Sequence, residues 1–332
     1  MAWTSPGCRR PAVPPGPLLP ALAAMRISPQ VMFIAAISFL AGVGVRDRLG
    51  HPLVQRAATA RQAGAAAQRP SPILQRLRFP QGEDRAAANE TLLILSPVKN
   101  RGSGHHTPIS HFTGLVDRLT WPKASVSVAL LEGDSSDDTW EVMQEALASL
   151  HGYRSIQAIK KDFGPLAGGG GGGGEGRHSA DVQLIRRQRL AQVRNWLLSV
   201  ALVDHDWVLW MDSDLWEAPS DLVQQLMTSN KDLVVPNCIV EGSEPPRTYD
   251  LNSWQETPES RAALKDVPAG EPLFEGYGER PTFRKHIGSL GGQGNIVKLD
   301  GIGGSVILAR GDLFRRGLNF PGEKHTHAYI CC

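Results

Sequence analysis

The octapeptide Trp207-Val208-Leu209-Trp210-Met211-Asp212-Ser213-Asp214 decides how the chain is read. Its apolar half is short and suits a strand covered on both faces, as in a parallel sheet. Its acidic half follows at once. In an open α/β sheet, ligands collect beyond the carboxyl ends of the strands, so Asp212 and Asp214 are expected to face a crevice.

Upstream, Leu190, Val193, Leu197 and Ala201 recur at helical spacing, with Arg187 and Arg194 on the other side of the same helix. Earlier still, Ser155 to Ile159 reads as a strand, and Trp140, Met143, Leu147 and Leu150 as a helix capped by Ser136 or Asp137. Ser125 to Leu131 and Thr91 to Leu95, the latter ended by Pro97, read as two further strands. Short apolar runs alternating with amphipathic segments predict an α/β domain with a mostly parallel central sheet covered by helices.

The chain of 332 residues carries 35 basic and 33 acidic side chains, so it lacks the basic footprint of a nucleic-acid binder. Cys8, Cys238, Cys331 and Cys332 supply neither a disulfide scaffold nor a CxxC metal site. Ile27 to Val45 is uncharged and bracketed by Arg26 and by Arg46 and Arg48. That length can span a bilayer, whereas a cleaved signal peptide would place a shorter apolar region nearer the start. The expectation is a short tail at 1–26, a transmembrane signal-anchor at 27–45, a flexible stem rich in Ala, Arg, Gln and Pro at 46–88, and a globular domain at 89–321, with arginines at both ends of the anchor leaving its orientation open on charge alone. Residues 322–332 are left as a divergent end. Asn89-Glu90-Thr91 is an N-glycosylation triplet, usable only inside the secretory pathway.

Two carboxylates at a crevice favour Mg²⁺ or Mn²⁺ over zinc, and such an ion bridges the diphosphate of a sugar nucleotide and stabilises it as it leaves. Asp204-His205-Asp206 has the same spacing but precedes the strand, and reads as a solvated turn. The bland alternative for Asp212 and Asp214 is a capping turn leading into Pro219-Ser220. The glycine run 168–174 lacks the Gly-Lys-Ser/Thr ending of a phosphate-binding loop and is assigned no chemistry.

Several longer segments carry a family resemblance: Lys161-Asp162-Phe163-Gly164, Arg194 to Leu198, Trp207 to Asp214, Lys231 to Asn237, Tyr249 to Glu256, Glu275-Gly276-Tyr277 and Leu299 to Gly304. Together, and in this order, they resemble the fungal mannan polymerase mannosyltransferases of glycosyltransferase family 62, from Asn89 to Pro321. The resemblance implies a GT-A-like fold in a single-pass type II Golgi membrane protein with a luminal catalytic domain. It implies transfer of mannose from GDP-mannose, with Mn²⁺ or Mg²⁺, to the α-1,6-linked backbone of N-linked mannan, with retention of configuration, beside other mannan polymerase subunits. Double displacement and front-face substitution both remain open.

Site roles follow from position at the strand ends and from the same resemblance. Asp212 and Asp214 are the metal pair; Pro97 and Lys99 lie where base and ribose sit, with Asp134 at the same edge; Arg187 and Arg194 either reach the diphosphate or form a solvated basic helix face. Glu275 and Asp300 are the catalytic candidates near the transferred sugar and acceptor, and Trp254 and Tyr277 are candidates for stacking on sugar rings. After Phe320-Pro321 the relatives continue to a late histidine motif; here the chain ends at Cys332, and His325 and His327 stand too early to replace it. The expectation is a shortened C-terminus, with a non-catalytic complex subunit or a glycan-binding protein as the rival readings.

Overall fold

A computed structural model describes residues 25–26, 34–36, 90–165, 180–240, 242–243, 245–268, 271, 273, 275 and 280–322. In chain order these form β1 (Met25–Arg26), β2 (Ile34–Ala36), β3 (Leu92–Val98), α1 (Ile109–Arg118), β4 (Val126–Glu132), α2 (Thr139–Ala148), β5 (Ser155–Lys160), α3 (Ala180–Ala201), β6 (Trp207–Met211) and β7 (Leu215–Glu217). There follow α4 (Leu222–Met227), β8 (Leu233–Pro236), β9 (Ile239–Val240), β10 (Trp254–Gln255), α5 (Pro258–Ala263), β11 (Lys285–His286), β12 (Ile296–Lys298), β13 (Val306–Arg310) and α6 (Gly311–Arg315).

The main sheet has the order β12-β2-β8-β13-β6-β3-β4-β5. The alternation of strands and helices from β3 to β6 builds its parallel half, with β3 paired to β4 and β6, and β4 to β5. β12 and β2 are also parallel, while β13 runs antiparallel to β6 and β8, and β2 to β8. The chain leaves β3 for β4 and β5 on one side and returns through α3 to β6 on the other. Strand order therefore reverses between β3 and β6, and a crevice is expected beyond their carboxyl ends.

Alternation along the strands explains why the sheet is covered on both faces. Leu92, Ile94, Trp207, Leu209 and Met211 pack with Phe112, Val116 and Met143 from α1 and α2. Leu93, Leu95, Val208 and Trp210 pack on the other face with Ala191 and Leu197 of α3 and with Phe320. Pro97 does not end its strand: it pairs with Leu131 close to the carboxyl end, where a missing N–H is tolerated. Helix α2 begins at Thr139, later than expected, although Asp137 still accepts the Thr139 N–H at 3.2 Å.

The anchor is overturned. Within 27–45, Ile34–Ala36 is a sheet strand with neighbours on both sides, β8 and β12. Among the described residues no helix is long and apolar enough to cross a membrane, so a single-pass type II Golgi membrane protein with a luminal domain is not supported. The physical reason is that an uncharged apolar run suits a doubly paired strand as well as a bilayer. Its partners, β8 and β12, come from far along the chain. β1 likewise pairs with β7 and β9 in a small three-stranded sheet, so that sheet and the main one each take residues ahead of Asn89. Asn89, the stem, the glycine run, Tyr277, His325 and His327 lie outside the described residues.

Candidate functional site

Strand β6 delivers Asp212 and Asp214 just beyond its carboxyl end, at the strand reversal where a crevice is expected. The Asp212 N–H donates to the Ser305 carbonyl at 2.8 Å, which fixes the start of the loop against the chain entering β13. Arg194, on α3 and only 3% exposed, donates to Asp212 Oδ1 at 2.6 Å. Burial pushes the Asp212 carboxyl up to about 7, opposed by Arg194 and assisted by Asp214 and Asp250, although 30% of its side-chain surface still reaches solvent. Asp214 is more open, at 40%, and meets Arg101 Nη2 at 3.4 Å.

A third carboxylate joins them. Asp250 accepts from the backbone N–H of Asn252 at 3.0 Å, from Asn252 Nδ2 at 2.8 Å and from Ser305 Oγ at 3.1 Å. A Cβ at Gly303 would overlap its carboxylate, which explains one glycine of the Leu299 to Gly304 motif. Beneath the acids lies Cys238, buried, its thiol pushed up by burial and then by Asp250, Asp212 and Asp214. Nothing in the Tyr249 to Glu256 motif marks Asp250 out, because only folding brings it beside β6.

Arg187 and Arg194 are seven residues apart and so share a helix face. Arg194 holds Asp212, and Arg187 Nη1 donates to Asn252 Oδ1 at 3.1 Å, which links it to Asp250. Asp134 adopts φ +57° and accepts from the N–H groups of Phe163 at 3.2 Å and Gly164 at 2.9 Å, with Arg189 at 3.8 Å. It thus ties the end of β4 to the loop after β5. Lys99 is exposed just past β3.

Glu275 and Asp300 belong to a second cluster. Glu275 accepts from Arg284 at 2.8 Å and from Thr282 at 2.9 Å, with His286 at 3.6 Å. Arg284 also reaches Glu256 at 3.0 Å, and Asp300 accepts the Glu256 N–H at 2.9 Å. Trp254 carries Arg284 over its ring at 3.7 Å. The rival pair is structural: Asp204 receives Arg154 at 2.9 and 2.8 Å, and Asp206 receives the Thr91 N–H and hydroxyl, each at 2.9 Å.

Among the described residues no three His, Cys, Asp or Glu side chains converge to hold a metal by themselves. The donors nevertheless suit a hard cation. Two carboxylates at the mouth of a crevice are the usual protein share of a Mg²⁺-type site completed by phosphate and water.

With this geometry, the chain matches the Anp1 family over residues 77–323 and belongs to it. It is 41% identical over 187 residues to the mannan polymerase I complex VAN1 subunit of Saccharomyces cerevisiae, covering 52% of this chain and 34% of that protein. It is 33% identical over 257 residues to the mannan polymerase II complex anp1 subunit of Schizosaccharomyces pombe, covering 71% and 58%. The chain therefore spans between 34% and 58% of the length of these two relatives. A solved mannosyltransferase, PcManGT from Pyrobaculum calidifontis in complex with GDP-Man and Mn²⁺, overlaps with a TM-score of 0.33 at 13% identity, covering 74% of this chain and 57% of that one. That overlap is too slight to bear on function.

Proposed function

We propose that this chain is a GT-A-like, metal-dependent glycosyltransferase that moves mannose from GDP-mannose to the α-1,6-linked backbone of N-linked mannan, with retention, beside other mannan polymerase subunits. The observation that carries the reading is the Asp212/Asp214 pair at the strand reversal, flanked by Arg194 and Arg101, in a chain of the Anp1 family.

Asp212 and Asp214 would hold Mn²⁺ or Mg²⁺, which when bound offsets the charge of the departing diphosphate. Arg194 orients Asp212, so that carboxylate offers the ion a fixed oxygen rather than a rotating one. Asp250, braced by Ser305 and Asn252, stands next to the pair, with Arg187 behind it. Pro97, Lys99 and Asp134 line the β3 and β4 edge assigned to the nucleoside. Glu275 and Asp300 are assigned to the acceptor side. Arg284 and Thr282 hold the two oxygens of Glu275, so its contribution would be to stiffen that wall.

In transfer, the bond from mannose C1 to the β-phosphate oxygen breaks, a bond from C1 to the acceptor 6-oxygen forms with net retention at C1, and the proton of the acceptor 6-hydroxyl passes to the departing diphosphate. The diphosphate carries away the negative charge. The test is to incubate the full chain with GDP-mannose, Mn²⁺ and an α-1,6-linked mannose oligomer. The expected result is a product longer by one α-1,6-mannose, with GDP released. Binding of GDP without transfer, even with the other complex subunits present, would move the chain to a non-catalytic role.

A further inference from the structure

We propose that Arg101 is a diphosphate-binding residue, which exchanges its contact with Asp214 for the phosphates of a nucleoside diphosphate entering with a divalent cation. This rests on the reading of the crevice as a nucleotide site.

The backbone of Arg101 is fixed just past β3. Its N–H donates to Thr139 Oγ1 at 2.6 Å and its carbonyl accepts the Ile109 N–H at 2.9 Å, while the next two N–H groups go to Asp137 at 3.1 Å and Asp138 at 2.9 Å. Its guanidinium reaches across the strand reversal from the end of β3 to the loop after β6. Nη1 donates to Thr107 Oγ1 at 2.6 Å and faces His105 Nδ1 at 3.2 Å. Nη2 approaches Asp214 Oδ2 at 3.4 Å, beyond the range of a well-formed hydrogen bond. Arg194 differs on each count: its contact with Asp212 is 2.6 Å and its side chain is 3% exposed, against 14% for Arg101. Arg194 is built to stay, and Arg101 to exchange.

Charge balance sets the direction of the exchange. The three carboxylates Asp212, Asp214 and Asp250 are matched by the three guanidinium groups of Arg194, Arg101 and Arg187, so a divalent cation on Asp212 and Asp214 leaves an excess of positive charge. A diphosphate removes that excess, and the planar fork of an arginine matches phosphate oxygens. With Nη1 held by Thr107, Nη2 needs only a small rotation. Because Asp214 is a proposed cation ligand, the part of the nucleotide that Arg101 meets is the part beside the cation, which is phosphate rather than base.

The test is calorimetry on the full chain and on Arg101→Ala, titrating Mn²⁺ alone, GDP with Mn²⁺, and pyrophosphate with Mn²⁺. Mn²⁺ alone should bind the variant as well as wild type or better, since a competing cation is gone. GDP and pyrophosphate should both weaken by roughly tenfold or more, with partial recovery in Arg101→Lys. Arg101→Gln, which can still donate towards Thr107, serves if the alanine variant does not fold. Unchanged GDP affinity overturns the proposal, as does weakening for GDP but not pyrophosphate, or a parallel loss of Mn²⁺ binding. If wild type binds neither GDP nor pyrophosphate, the nucleotide reading of the crevice itself falls.

Discussion

At the scale of single residues, two Asp-x-Asp pairs flank one strand and serve different ends. Asp206 stitches Thr91 to the start of β6 through two hydrogen bonds of 2.9 Å. Asp206→Ala should therefore cost about 1–3 kcal/mol in a denaturant melt while leaving nucleotide binding intact. Between them, His205 is buried, and burial, then Arg154, hold its pKa below the usual 6.5. The native state keeps the ring neutral while the unfolded chain takes a proton near pH 6.5, so stability is lost as pH falls through 6.5 toward the lower native value. His205→Gln should flatten that loss in thermal melts between pH 7.5 and 5.5; an identical pH slope in both proteins would refute it. Asp212 and Asp214 were legible in the sequence because a strand end fixes their position. Asp250 and Arg101 were not, because their nearness to the pair depends on contacts between distant segments.

At the scale of elements, helix α3 and the Trp254 to Arg284 region show what periodicity conveys and what it omits. The spacing of Arg187 and Arg194 places both on one face, but only the fold gives one to Asp212 and the other to Asn252. The second cluster was less legible still. Arg284, 4% exposed, sits between Glu275 at 4% and Glu256 at 13%. Removing it leaves two carboxylates buried without their counter-charge, so Arg284→Leu should destabilise the chain by about 3–5 kcal/mol. Arg284→Lys should restore only part, since a point charge cannot bridge both acids and cover the Trp254 ring. A lysine variant with wild-type stability would show that one ion pair suffices. Gly301 and Gly303 were visible within the Leu299 to Gly304 motif, yet their reason, close approach to Trp254 and Asp250, comes from the packing.

At the scale of the whole molecule, the strands β3, β4 and β6 were readable because each is a short apolar run, and β5 because apolar and polar residues mix in a short segment between two helices. The other half of the sheet was not, because β2 joins it across most of the chain's length, and an apolar run alone does not say whether lipid or strands will cover it. Ala35 pairs with Val235 on one side and Val297 on the other. Ala35→Pro removes a backbone donor from a doubly paired strand and should cost on the order of 1–3 kcal/mol, read as a lower melting temperature of the full chain. No change would argue that the sheet does not depend on β2. Binding of a nucleoside diphosphate in the crevice through a cation held by Asp212 and Asp214 is tested most directly by titrating GDP into the full chain with and without Mn²⁺, in wild type and Asp214→Asn. The expected result is Mn²⁺-dependent binding that Asp214→Asn abolishes without loss of folding. Binding of GDP that is indifferent to both the ion and the substitution would contradict it.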